Sequence, residues 1–443
     1  MNFSKNQLII VGVVGFIVVV FILGLFGVIP GFKKQASTDP NYPTGPVTMT
    51  MWGVGDEYSV YGDAIKAYQQ LFPNVKITYV KYDDPDVYEK ELVNAFAENR
   101  GPDIFMVKND WVYQHWGKIL PANSFPNVSL ITPQQVQALF PSVVYSDFVL
   151  NNGIYALPLN MDTLALIYNK DVFSADGIIF PPKSWDDLVN DVVTVRQIDQ
   201  NKKITLSAIA LGGANNVNNI SDILSVLALQ SGSKINNPNG TGVLLGDDFQ
   251  KVVKFYTQFS DPINPYYTWN ESFDNSVSSF ASGKTAMILD YYSSLTDIKN
   301  RNPYLNYSVA SLPQVNPQSA SQIANYASYW GLSVSKQTQF AYPAWNFIVY
   351  LTTTSQIAST YSQATNKLPA LLSLINQGLG GDNDVFLRQA LTAKTWQQAD
   401  PQAIDTAFRG MINDILSGRI DLTSAVKAAE DAINKLYQPV QTQ

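Results

Sequence analysis

Apolar positions over residues 47–107 change period repeatedly. Val47, Met49 and Met51 alternate with other residues, the two-residue repeat of a half-buried strand. Tyr61, Ile65, Tyr68 and Phe72 then recur at helical spacing, and Pro73-Asn74 stops that helix. Val75, Ile77 and Tyr79 alternate again, and Tyr88, Leu92 and Phe96 mark a second helix ending near Gly101-Pro102. Asp103-Ile104-Phe105-Met106-Val107 is apolar enough for a strand buried on both faces. Strand, helix, strand, helix, strand predicts a parallel, right-handed α/β sheet. Ligands of such sheets sit beyond the carboxyl ends of the strands. Two loops hold that position, Trp52-Gly53-Val54-Gly55-Asp56 and Asn109-Asp110-Trp111, each with a tryptophan and an aspartate. Tyr58 stands where the third glycine of a dinucleotide fingerprint belongs, so Gly53 and Gly55 do not make one.

Further on, Gly153-Ile154-Tyr155-Ala156-Leu157-Pro158 reads as a strand leaving the first domain, and Leu164, Leu166 and Tyr168 alternate in the next. Pro181-Pro182 breaks the chain, and Ser184-Trp185-Asp186-Asp187 opens a helix with a capping-box pattern. Residues 212–219, rich in Gly and Asn, read as a loop. Phe273, Val277 and Phe280 form a helical face that ends at Gly283, before a strand from Thr285 to Leu289. From Phe340 the chain is mainly helical, closing on Leu422, Val426, Ala429, Ile433 and Leu436.

The first segment bears on the compartment. Leu8 to Ile29 carries no charged side chain. At about 1.5 Å per residue it covers a bilayer core of about 30 Å. With no small-residue cleavage pattern before Lys33-Lys34, residues 8–29 read as a retained transmembrane anchor; the alternative is a long signal peptide. Pro and Gly then make residues 30–46 a linker. The remainder exceeds one ordinary core, which predicts two domains. Net charge is −7, so nucleic acid is not an expected partner. The absence of cysteine excludes disulfides and thiolate chemistry, and His115, the single histidine, reads as a surface or loop residue. Charged residues are 15% against 12% aromatic, a balance that suits either an uncharged ring-shaped ligand or a large core.

Longer motifs sharpen this picture. Gly153 to Thr163 leads into Leu166-Ile167-Tyr168-Asn169-Lys170-Asp171 and then Pro181-Pro182-Lys183-Ser184-Trp185. In the same order follow Phe280-Ala281-Ser282-Gly283-Lys284-Thr285-Ala286-Met287, Tyr329-Trp330-Gly331-Leu332-Ser333-Val334-Ser335-Lys336, Ala344-Trp345-Asn346-Phe347-Ile348 and Leu368-Pro369-Ala370. This series resembles extracellular solute-binding proteins of family 1, the maltose-binding-like receptors of ABC sugar importers. The resemblance covers about residues 47–437. It implies an α/β, two-lobed periplasmic-binding-protein-like fold of type II with a hinge, here joined to an N-terminal transmembrane helix. The lobes would be 47–155 with part of 336–375, and 156–330 with 376–437, hinged near Tyr155–Pro158 and Gly331–Ser335. It further implies no catalysis and no cofactor, with an ABC permease as membrane partner and a sugar as ligand. Two departures stand out. The family's lipid-anchored cysteine is absent, and Ala327, Ser328 and Tyr329 replace glycines that often precede the Trp-Gly pair.

A sugar needs hydroxyl partners and aromatic platforms for its C–H faces. Asp56, Asp110 and Asp162 are the expected acceptors; Trp52, Trp111, Tyr291, Tyr292 and Trp330 the expected platforms; Tyr329 and Asn366 lesser candidates. Each has a competing structural role. Trp52 and Trp111 could be core, Asp56 and Asp110 could cap helices, and Trp330 could pack at the hinge. Only one of the adjacent Tyr291 and Tyr292 can face ligand if the backbone is extended. Trp185 and Trp345 read as core. Peptide or polyamine binding, sensing without transport, and glycoside hydrolysis remain alternatives.

Overall fold

A computed structural model describes residues 42–125, 128–201, 203–237 and 241–437. The expected anchor at 8–29 and most of the linker lie outside them. Among the described residues, no helix is long and apolar enough to cross a membrane. The end of the linker stretch is not free. Tyr42 stacks on Phe72 at 4.5 Å, and Asn74 donates to the Pro43 and Gly45 carbonyls.

The strands begin with β1 (Val47–Val54), β2 (Val75–Tyr82) and β3 (Ile104–Lys108). A short hairpin of β4 (Val149–Leu150) and β5 (Gly153–Ile154) precedes β6 (Leu157–Pro158) and β7 (Asp162–Asn169). Then come β8 (Gln197–Ile198), β9 (Ile204–Ile209), β10 (Thr285–Tyr291) and β11 (Tyr307–Ala310). Last are β12 (Asn325–Ser328), β13 (Trp330–Val334) and β14 (Ala393–Lys394). One sheet runs β2-β1-β3-β13-β6; the other runs β14-β12-β7-β10-β9-β8, with β11 also on β7.

Local chemistry explains the first sheet. Val47, Met49 and Met51 are fully buried, as their alternation predicts. β1 pairs in parallel with β2 and β3, and β13 runs antiparallel to β3. β3 is central, which is why Ile104 to Val107 are buried on both faces. Helices Tyr58–Leu71 and Ala341–Thr353 meet through Tyr68 against Phe347 at 5.0 Å. In the second lobe, Ser184 and Asp187 form the reciprocal capping box of helix Trp185–Val195. Trp185 and Trp345 are both buried core, as expected.

Two separate hydrophobic cores result, so the molecule is two-lobed. Side chains such as Met51, Phe105 and Trp345 form one core; Ile167, Leu224 and Phe280 belong to the other. The first core takes in Phe386, Leu387 and Ala393, and Trp396 belongs to the second.

Some expectations need correction. Gly153–Pro158 is not one strand: β5 pairs with β4, whereas β6 pairs with β13. Gly331 to Val334 lie inside β13, and a Cβ on Gly331 would meet the Phe148 ring at 2.7 Å. The chain changes sheet at Leu159–Met161, at Tyr329 and again between β13 and β14. Ala327, Ser328 and Tyr329 all keep negative φ, so their backbone needs no glycine. His115 is not a surface residue; it is buried and bonded to Glu89 at 3.0 Å.

Candidate functional site

Strand register assembles the site. β7 and β10 are antiparallel with Tyr291 opposite Leu164, so the end of β10 arrives beside the start of β7. That brings the Tyr292 and Ser293 N–H groups onto Asp162. Its Oδ1 accepts from Thr163 and Tyr292, both at 2.8 Å, and its Oδ2 accepts from Ser293 at 3.0 Å. Burial pushes the Asp162 carboxyl up to about 6, against the downward pull of those N–H groups. Ser328, at the end of β12, pairs with Asp162, and Trp330 opens β13 two residues later.

The opposite wall comes from the first lobe. Helix Ser355–Thr365 ends at Asn366, whose left-handed φ of 54° turns the chain. Lys367 and Leu368 then run back along the crossover. Met161 N–H donates to the Leu368 carbonyl at 3.0 Å, and Asn160 forms a bridge with Pro369.

Between these walls lies a cavity of about 490 Å³ lined by Asn160, Asp162, Tyr291, Tyr292, Trp330, Asn366, Lys367 and neighbours. Trp330 is held edge-on by Trp111 at 5.0 Å and Tyr88 at 6.2 Å. Tyr292 packs edge-on against Phe386 at 5.3 Å, and its hydroxyl donates to Asn366 Oδ1 at 3.2 Å. That bond joins the two lobes across the cavity. Gln402 donating to Asp86 at 2.8 Å joins them elsewhere. Asn160 Oδ1 is buried and has no hydrogen-bond partner, an uncompensated polar group on a residue that lines the cavity.

The structure therefore brings Asp162, Tyr291, Tyr292, Trp330 and Asn366 together at one cavity. Tyr291 lines it while its hydroxyl turns away to Asp222 at 2.7 Å. The other expected residues do not line it. Trp52 packs against Tyr82 at 5.2 Å. Asp56 is buried and fully engaged: Oδ1 accepts from Lys367 at 2.6 Å, and Oδ2 accepts the Tyr61 and Tyr361 hydroxyls at 2.9 and 2.7 Å. It caps no helix, because Glu57 holds the N-cap position. Asp110 is ion-paired with Lys108 at 2.9 Å. Trp111 is 4% exposed and backs Trp330. Tyr329 is buried, its hydroxyl donating to Asp147 at 2.6 Å.

Asn160 and Lys367 escaped the sequence reading. Asn160 stands two residues before Asp162 in the crossover motif, and Lys367 lies between Asn366 and the Leu368-Pro369-Ala370 turn. Adjacency to those positions was the available signal. Among the described residues, no cluster of three or more His, Asp or Glu could hold a metal ion.

Known proteins share this architecture. The chain is 23% identical over 402 residues to the maltotriose-binding protein of Pyrococcus abyssi, spanning 86% of this chain and 80% of that relative. It is 22% identical over 307 residues to the multiple sugar-binding protein of Streptococcus mutans, spanning 67% and 69% respectively. Among solved structures, the sugar-binding protein MalE of Xanthomonas citri superposes with a TM-score of 0.73 at 19% identity, over 88% of this chain and 97% of that one. The cyclic α-maltosyl-1,6-maltose binding protein of Arthrobacter globiformis gives a TM-score of 0.72 at 17% identity, over 89% and 99%. The sequence profile of the bacterial extracellular solute-binding proteins matches residues 53–358, more than half of the chain, and the chain belongs to that family.

Proposed function

We propose that this protein is an extracytoplasmic receptor that closes two lobes on a carbohydrate and delivers it to an ABC-type permease. The family consists of binding proteins and not enzymes, which removes the hydrolase alternative. The carrying observation is the interlobe cavity, which combines the Trp330 and Tyr292 rings with fixed polar groups from Asn160, Asp162, Asn366 and Lys367. Ring faces suit the C–H surfaces of a sugar, and the polar groups suit its hydroxyls. The maltotriose-binding and multiple sugar-binding relatives support the same ligand class.

Charge favours a sugar over a polyamine. A polyamine needs free carboxylates, but Asp56 is already neutralised by Lys367 and Asp162 is pinned by three backbone N–H groups. Ligand that touches both walls binds the closed form better and shifts the open–closed balance toward it. Leu159–Met161 and Tyr329 are the proposed pivots. The uncharged run from Leu8 to Ile29 supports a tether at the outer face of a cytoplasmic membrane.

The test is thermal unfolding of the full chain with maltotriose, mannobiose and D-tagatose, against spermidine and a tripeptide. A ligand at 100 times its Kd stabilises the fold by about 2.7 kcal/mol. A shift with a saccharide alone is the expected result. A shift only with spermidine or peptide would overturn the sugar reading and leave the two-lobed receptor. Uptake of that saccharide by cells that carry this protein together with an ABC permease, compared with cells lacking the protein, separates transport from sensing.

A further inference from the structure

The carbohydrate reading leaves open which groups discriminate among ligands. We infer that Lys367 and Asn160 form a donor–acceptor pair that reads vicinal hydroxyls of an uncharged sugar, with Asp56 as the residue that positions Lys367. This rests on the carbohydrate reading above.

The pair is built by the backbone. Asn160 bridges Pro369, and Met161 donates to Leu368, so the two segments run side by side and carry both side chains along one wall of the cavity. Asn160 Oδ1 is an acceptor without a partner, on a residue only 7% exposed. Lys367 supplies the donors. An ammonium has three N–H bonds; Asp56 Oδ1 takes one at 2.6 Å, leaving two for a molecule in the cavity. A hydroxyl both donates and accepts. Of two neighbouring hydroxyls, one can donate to Asn160 while the other accepts from Lys367.

Asp56 cannot touch ligand itself. It is buried, and its second oxygen is occupied by the Tyr61 and Tyr361 hydroxyls. These bonds hold the carboxylate in one orientation, and the carboxylate holds the ammonium. All four residues belong to the first lobe, so the donor is in place before the second lobe arrives. Pre-ordering a donor in this way removes an entropic cost from binding. The Lys367–Asp56 pair is electrically neutral as a unit, and Asp162 stands on the opposite wall. A uronic acid would therefore gain no net attraction from the Lys367–Asp56 pair.

The experiment is calorimetric titration of the full chain and its variants. The probes are the saccharide that stabilises the wild type, its monodeoxy analogues and its uronic acid counterpart. Wild type should bind one deoxy analogue about tenfold more weakly than the parent, as expected for a lost hydrogen bond to a charged group. Lys367→Met should bind parent and that analogue alike. Asp56→Asn should weaken parent binding in the wild type yet change nothing in the Lys367→Met background, which a merely structural role for Asp56 would not produce. Lys367→Gln, which keeps a donor and leaves Asp56 a partner, serves if Lys367→Met fails to fold. Undiminished affinity and an unchanged deoxy preference in a folded Lys367 variant would overturn the pair. Tighter binding of the uronic acid by the wild type would overturn the preference for an uncharged ligand. If no saccharide binds the wild type, the carbohydrate reading itself falls.

Discussion

Asp162 with Tyr292 and Asp110 with Trp111 are both acidic–aromatic combinations at strand ends, yet only the first lines the cavity. Asp110 meets Lys108, two residues away, and Trp111 is sealed behind Trp330. Asp162 instead receives backbone N–H groups from a different strand, and Tyr292 projects where two lobes face each other. Position beyond a strand end is therefore insufficient for a binding group. What matters is which neighbours the fold delivers, and whether the group then borders open space.

The comparison is broken most forcefully by truncating the packed member. Trp111→Ala should cost about 3–5 kcal/mol in denaturant unfolding, because it opens a cavity behind Trp330. Tyr292→Ala should have the reverse profile: at least a tenfold loss of saccharide affinity by titration, with a smaller loss of stability, because its ring lines open space. A stability loss as large as that of Trp111→Ala would make Tyr292 a core residue.

Protonation offers a gentler probe. Asp162 titrates near 3.8 when unfolded and at about 6 when folded, so the folded state holds the proton more tightly. Its contribution to stability is fully present below the unfolded value and is lost as the pH rises through about 6. Asp162→Asn should reduce the slope of that part of the stability–pH curve, which Asp147, Asp191 and Asp222 share, measured by denaturant melts at successive pH values. A curve unchanged by the substitution would refute the assignment. The smallest effect is expected at Trp52, which rests on Tyr82 away from the cavity. Trp52→Phe should cost less than about 1.5 kcal/mol and leave saccharide affinity unchanged.

Much of the fold was legible in the sequence. The alternation of Val47, Met49 and Met51 and the helical spacing of Tyr61, Ile65 and Tyr68 record burial against a sheet and were read correctly. Ser184 and Asp187 likewise declare a helix start through a purely local bond. The strand proposed at Gly153–Pro158 failed because two-residue strands exist only through their partners, and those partners lie in different places. His115 was misplaced for a related reason, since Glu89 reaches it from another helix.

By itself, then, the chain determined what depends on near neighbours: the periods of its strands and helices, its caps, the family motifs, and the exclusion of thiolate chemistry. Tertiary structure alone decided which polar groups are satisfied. Asp56 became a support because Tyr361 and Lys367, from a distant segment, converge on it beside its near neighbour Tyr61, whereas Asn160 was left with an empty acceptor. Hydrogen-bond satisfaction is a property of three-dimensional neighbours, and no sequence period encodes it.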